Sequence, residues 1–280
     1  FKHFLSPEVI EQLIVHPELL KLGGERRILT IFFSDLQGFT SISENLDPEA
    51  LIELLNDYLT AMTDIIHEEG GTIDKFEGDA IIAFWNAPLE VKDHAVKAVR
   101  AALRCQARLA EMRPAFRSRI GADMHMRIGI NTGSAVVGNL GSRTRFDYTV
   151  IGDTVNLAAR LEGANKQFGT YTMISQSTCD LVKKQFVLRE LARLTVVGRH
   201  EPVAVYEPMF SEEYEVKKDI INRFNKGLAL FYKGDIEHGE KIFAEIQEHD
   251  TAAAAYTKKC QKLLSTELSD WHGVWVMKTK

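Results

Sequence analysis

Cysteine is scarce in this 280-residue chain: Cys105, Cys179 and Cys260 are its only three. The number is odd, the spacing wide and no CxxC occurs, so neither a disulfide framework nor a zinc site is implied, and a reducing compartment fits. No apolar run reaches the roughly 18 residues a membrane-spanning helix needs, and no signal peptide opens the chain. It begins at Phe1 rather than Met, so the expectation is a fragment of a longer protein with room for a membrane segment upstream. Excess charge is also missing. With 34 Lys and Arg against 39 Asp and Glu, the formal charge is −5. Nothing global therefore attracts nucleic acid or an anionic membrane, and an anionic substrate must be held by locally placed groups. There is no GxxxxGK[ST], HExxH or GxSxG, which removes support for P-loop, zinc-protease and hydrolase chemistry.

What is present is 45% hydrophobic sequence, enough for one substantial core and a smaller second one. Residues 1–24 read as a short amphipathic helix and linker, with Ser6-Pro7 as the start and Gly23-Gly24 as the stop. Residues 25–208 alternate strand-like apolar runs with amphipathic helices. Residues 209–280 read as helix, Gly-Asp turn, helix, helix, which resembles one tetratricopeptide-like repeat; a single copy cannot bury a solenoid core, so it is expected to lie against the main domain.

Within the main domain, strand 28–34 precedes a helix 48–69 whose Leu51, Leu54, Leu55, Tyr58, Leu59, Met62, Ile65 and Ile66 keep one apolar face. Strands 72–76 and 80–85 follow, joined as a tight hairpin through Glu77-Gly78 with Phe76 paired to Asp79. Next come a helix 91–112, with Val96, Val99, Leu103 and Leu109 inward, and a strand in "HMRIGINTG". This order predicts an α+β fold with a ferredoxin-like βαββαβ core and extra strands. Helices would cover one sheet face and leave the other for a partner.

Charges sit where buried strands end. Asp35 closes "ILTIFFSD" just before "LQGFTSI", where Gly38, Phe39 and Thr40 offer backbone N–H groups at a turn into helix. "GTIDKFEGDAIIAFW" carries Asp74, Lys75, Glu77 and Asp79 at a hairpin tip. Two aspartates at the ends of adjacent strands are a usual way to hold two Mg²⁺ ions around a transferring phosphoryl group. In "DYTVIGDTVNLAARLEGAN", Gly152 turns the chain into a helix on which Asn156 and Arg160, four apart, share one face.

The segments "FSDLQGFT", "DKFEGDAIIAFW", "GINTGSAVVGNLGS" and "DYTVIGDTVNLAARLE", in that order over residues 25–208, resemble the catalytic domain of class III nucleotidyl cyclases of the bacterial adenylate cyclase type. The resemblance implies that Asp35 and Asp79 bind two Mg²⁺, with Mn²⁺ as the alternative ion, and that the Leu36 carbonyl is a further ligand. It implies that Lys75 and Thr149 read the purine, that Asn156 positions the ribose and that Arg160 stabilises charge on the reacting phosphate. Metals and purine-reading groups then lie on opposite subunits of a head-to-tail homodimer. ATP is the implied substrate, because Lys75 can donate to adenine N1 and Thr149 can accept from N6, whereas guanine presents the reverse pattern. Guanylate cyclase activity, or a weakly active interaction partner, are the alternatives. The flanks are similar to those of members with a membrane-anchored sensor upstream, which implies a cytoplasmic catalytic domain. One departure stands out: many members carry Lys before the glycine of the loop ahead of the last strand, and this chain has Val197 before Gly198. Arg199 is the nearest cation there, with Arg143 and Arg145 as substitutes.

Overall fold

The computed structural model describes residues 10, 14–15, 22–44, 46–142, 144–195, 201–265 and 271–277. Most of the helix expected within residues 1–24 lies outside them, as do Arg143 and the Val197-Gly198-Arg199 loop. No helix among the described residues is long and apolar enough to cross a membrane. The chain divides into two compact units, residues 1–162 and 163–280.

The first unit contains β1 (Gly23–Leu36), the short helix α1 (Phe39–Ser43), α2 (Pro48–Glu68), β2 (Thr72–Glu77), β3 (Ala80–Trp85), α3 (His94–Ile120), β4 (Met126–Gly141) and β5 (Phe146–Ile151). α4 (Asp153–Phe168) begins in this unit and ends in the next. Apart from α1, β1 to β4 follow the expected βαββαβ order. The strands pair antiparallel as β2-β3-β1-β4, and β5 returns along the end of β4.

Boundaries differ from expectation where tertiary pairing decides them. Gly23-Gly24 does not stop a helix but opens β1, opposite Asn139 and Gly138 of β4. α3 starts later and runs beyond residue 112 through Pro114, with Phe116 buried on its added turn. The β2–β3 turn is Gly78-Asp79 rather than Glu77-Gly78: Glu77 pairs with Ala80 and Phe76 with Ile81, not with Asp79. Gly78 has φ 64, a left-handed value that glycine takes without steric penalty at the first position of such a turn. The register also slips between Ile73 and Lys75, so Asp74 is an inserted bulge residue.

α2 buries Leu54, Tyr58, Met62, Ile65 and Ile66, and α3 buries Val96, Val99, Leu103 and Leu109; Phe32 and Trp85 meet on the sheet with ring centroids 6.1 Å apart. Each fully buried large apolar side chain contributes about 1.5–3 kcal/mol relative to exposure. The opposite sheet face is not left open along its whole length. Leu29, Ile31, Phe84, Ala135 and Val137 form a cluster there with Val150 of β5 and Ala158 of α4. α4 approaches closely because residue 129 is glycine: a Cβ there would stand 2.2 Å from the Ala158 carbonyl oxygen and 2.3 Å from the Glu162 nitrogen.

The second unit contains β6 (Thr172–Ser175), α5 (Gln176–Val182), β7 (Val187–Thr195), β8 (Val203–Met209), α6 (Ser211–Lys233), α7 (Ile236–Ile246), α8 (Thr251–Leu264) and β9 (Trp275–Val276). Its strands run β6-β8-β7-β9, with β9 parallel to β7. The helix, Gly234-Asp235 turn, helix, helix pattern is present, and its first helix lies against β7 of the same unit. The Tyr256 hydroxyl of α8 donates to the Leu191 carbonyl at 2.8 Å, and Tyr256 stacks on Phe243 at 4.8 Å.

Candidate active site

β1 delivers Asp35 to its exit, directly opposite Arg127 of β4. Arg127 Nη2 is 3.8 Å from Asp35 Oδ2, while its Nε donates to Glu162 Oε1 at 2.8 Å. Asp79, in the β2–β3 turn, accepts the Leu36 backbone N–H at 2.9 Å. That bond ties the hairpin tip to the end of β1 and sets Asp79 beside Asp35. Burial, followed by the Asp79 carboxyl and then Glu162, pushes Asp35 up to about 7, and Arg127 opposes the shift. Burial also raises Glu162, against the pull of Arg127.

Two half-buried carboxyls held together oppose folding unless a proton or a cation intervenes. No cluster of three His, Cys, Asp or Glu side chains able to hold a metal occurs among the described residues. The donors available are two carboxylates and the Leu36 carbonyl, all hard oxygens. This set fits Mg²⁺, which is ordinarily held by one or two carboxylates together with substrate phosphates rather than by an all-protein cage. Just beyond, Gly38 has φ 72 and caps the start of α1, with Phe39 half-buried and Thr40 exposed.

A second group forms where β2 and β5 touch. Lys75 lies opposite Ile82, its side chain 46% exposed and its Nζ 3.9 Å from Asp74 Oδ2. Thr149 is buried opposite Gly138, and its hydroxyl has no hydrogen-bond partner. The third group is on the first turns of α4: Asn156 is exposed, while Arg160 is half-buried with Nη1 3.8 Å from Asp153 and no hydrogen-bond partner for that nitrogen.

The structure thus places Asp35, Leu36 and Asp79 together, sets Lys75 and Thr149 on touching strands, and puts Asn156 and Arg160 on one helix. Arg199 falls outside the described residues, and Arg145 is exposed in the β4–β5 turn. Sequence reasoning missed Arg127 and Glu162. Arg127 sits inside an apolar strand pattern, and only the β1–β4 register reveals that it faces Asp35.

Residues 25–207 match the family described as the adenylate and guanylate cyclase catalytic domain, and the chain belongs to that family. Among curated proteins it is similar to Adenylate cyclase 1 of Rhizobium meliloti, with 38% identity over 205 residues, which are 70% of this chain and 31% of that protein. The chain therefore spans about a third of that relative's length. Among solved structures it is similar to the adenylyl cyclase CyaB from P. aeruginosa, with 40% identity and a TM-score of 0.64 over 68% of this chain and 97% of that one. It is also similar to the guanylyl cyclase Cya2, with 37% identity and a TM-score of 0.62 over 68% of this chain and 95% of that one.

Proposed function

We propose that this chain is the catalytic domain of an adenylate cyclase, a lyase that converts ATP to 3',5'-cyclic AMP and pyrophosphate at sites shared between two copies of the chain. The observation that carries the reading is the juxtaposition of Asp35 and Asp79 at the end of β1, in a member of the cyclase family. Asp35, Asp79 and the Leu36 carbonyl would hold two Mg²⁺ or Mn²⁺ ions. Such ions, when bound, lower the pKa of the ribose 3'-OH and neutralise the triphosphate. Backbone N–H groups at Gly38, Phe39 and Thr40 face the phosphates. Arg127, already beside Asp35, supplies a cation for the phosphates where Val197 replaces the expected lysine.

From the second copy, Lys75 donates to adenine N1 and Thr149 accepts from N6. Asn156 orients the ribose. Arg160 offers its Nη1, which has no hydrogen-bond partner, to the charge that builds on the α-phosphoryl oxygens, a role that suits guanidinium better than ammonium. No side chain is assigned as general base, since water can take the proton. The domain is read as residues 25–208, followed by a tetratricopeptide-like segment at 209–280, and as a cytoplasmic part of a longer protein with an upstream sensor and membrane region. A guanylate cyclase has similar overall structure, and Lys75 is the residue that argues for ATP.

Two assays test this. Cyclic nucleotide formation should favour ATP over GTP by at least about tenfold in kcat/KM. Inactive Asp35→Ala and Arg160→Ala proteins should regain activity when mixed, because one hybrid site is then whole. An inactive mixture with subunit exchange demonstrated would place the site within one chain, and a GTP preference would replace the substrate.

A further inference from the structure

A threonine hydroxyl both donates and accepts, so Thr149 alone can serve a 6-amino or a 6-oxo purine. Something must fix its direction. Asp74 stands in the right place to do so. It is the inserted residue of the β2 bulge, and its side chain is only 3% exposed beside a Lys75 that is 46% exposed. A bulge re-aims a side chain, and a buried carboxylate without partners is costly. Yet Asp74 Oδ1 and Thr149 Oγ1 are both buried and both lack a hydrogen-bond partner. The two groups are neighbours: the Thr149 hydroxyl, then Lys75, hold Asp74 down against the burial that raises it.

We infer that Asp74 is a positioning residue for base selection, accepting a hydrogen bond from the Thr149 hydroxyl so that its oxygen presents only lone pairs to the purine. Lys75 as donor and Thr149 as acceptor then match N1 and N6 of adenine. Guanine's N1–H and O6 are opposed at both positions, and the buried groups it leaves unpaired carry the discrimination. The inference rests on the adenylate cyclase reading and adds the residue that makes its base choice one-directional.

The test uses the full 280-residue chain, with kcat/KM for ATP and for GTP measured in parent, Asp74→Leu, Thr149→Val and the double variant, and folding followed by thermal melting. Asp74→Leu keeps bulk but cannot accept a hydrogen bond; it should lower the ATP to GTP ratio by about tenfold, mostly through KM. Asp74→Ala serves if the leucine variant does not fold. In the Thr149→Val background, Asp74→Leu should change the ratio no further. An unchanged ratio in a folded Asp74 variant overturns the inference, as does an equal drop in the Thr149→Val background, which would mean that Asp74 acts through Lys75. A parent that makes no cyclic nucleotide from ATP overturns the adenylate cyclase reading and this inference with it. A parent that prefers ATP, and keeps that preference in Asp74→Leu, overturns this inference alone.

Discussion

Buried polar groups are handled in opposite ways at two places in the chain. In residues 163–280, Arg189 is held by a network at both terminal nitrogens: Nη1 and Nη2 both donate to Asp250, Nη1 also lies 3.4 Å from Glu207, and the guanidinium rests 3.9 Å from the Phe224 ring centroid. In residues 1–162, Glu69 is closed in a similar way by Arg100 and Arg104, but several buried polar groups are left open. Of seven buried side-chain polar atoms without a partner among the described residues, six are on Ser34, Tyr58, Thr63, Asp74, Thr149 and Arg160, and the seventh is Arg189 Nε. Each orphan costs about 1–3 kcal/mol. A fold retains such a deficit where a ligand later satisfies the groups, whereas a closed network serves the fold itself.

The largest effect expected is at the carboxylate pair. Asp35→Asn should lower cyclic AMP formation by about a thousandfold. The same change removes a repulsion between carboxyls, so the thermal midpoint of the metal-free protein should hold or rise. Loss of activity together with a lowered midpoint would break the contrast, because it would make Asp35 a structural residue.

The opposite outcome is expected at Arg189. Arg189→Ala leaves Asp250 and Glu207 without their buried partner and should destabilise by about 3–5 kcal/mol. Denaturant midpoints would read this, and the folded fraction should keep the parent's ATP to GTP ratio. Intermediate in size is Arg160→Lys, which keeps the charge but loses the planar fork. It should reduce kcat about a hundredfold with little change in KM or stability. A rise in KM with kcat unchanged would move Arg160 from charge stabilisation to simple binding.

How much of this was legible from sequence follows the same division. Asp35 could be read because it ends a buried run, and Asn156 with Arg160 because helical spacing is local. Burial of Tyr58, Met62, Val96 and Val99 followed from a 3.6-residue period. Arg127 could not be read: its meaning comes from standing opposite Asp35 on an antiparallel neighbour, and register is a long-range property. The Asp74 bulge and the Gly78-Asp79 turn are register features too, and a two-residue error in the hairpin moved Asp79 out of its place. β5 covering part of the sheet and β9 joining β7 were also beyond local pattern, since a two-residue strand has no periodicity to detect.

The smallest effect is the one that best separates the two kinds of burial. Thr149→Val keeps the β-branched shape suited to β5 and removes a hydroxyl that neighbours Asp74 without closing a hydrogen bond in the free protein. Deleting an unsatisfied polar group in favour of an apolar isostere is near neutral or stabilising. Against that gain, the Thr149 hydroxyl helps Asp74 stay charged, and its loss makes that burial harder. The two terms are opposite in sign, so the net change in unfolding free energy should lie well below the loss expected for Arg189→Ala. Chemical denaturation without nucleotide would measure it. A loss as large as that expected for Arg189→Ala would mean that Thr149 belongs to a closed structural network, and that the open hydroxyl is not reserved for a ligand.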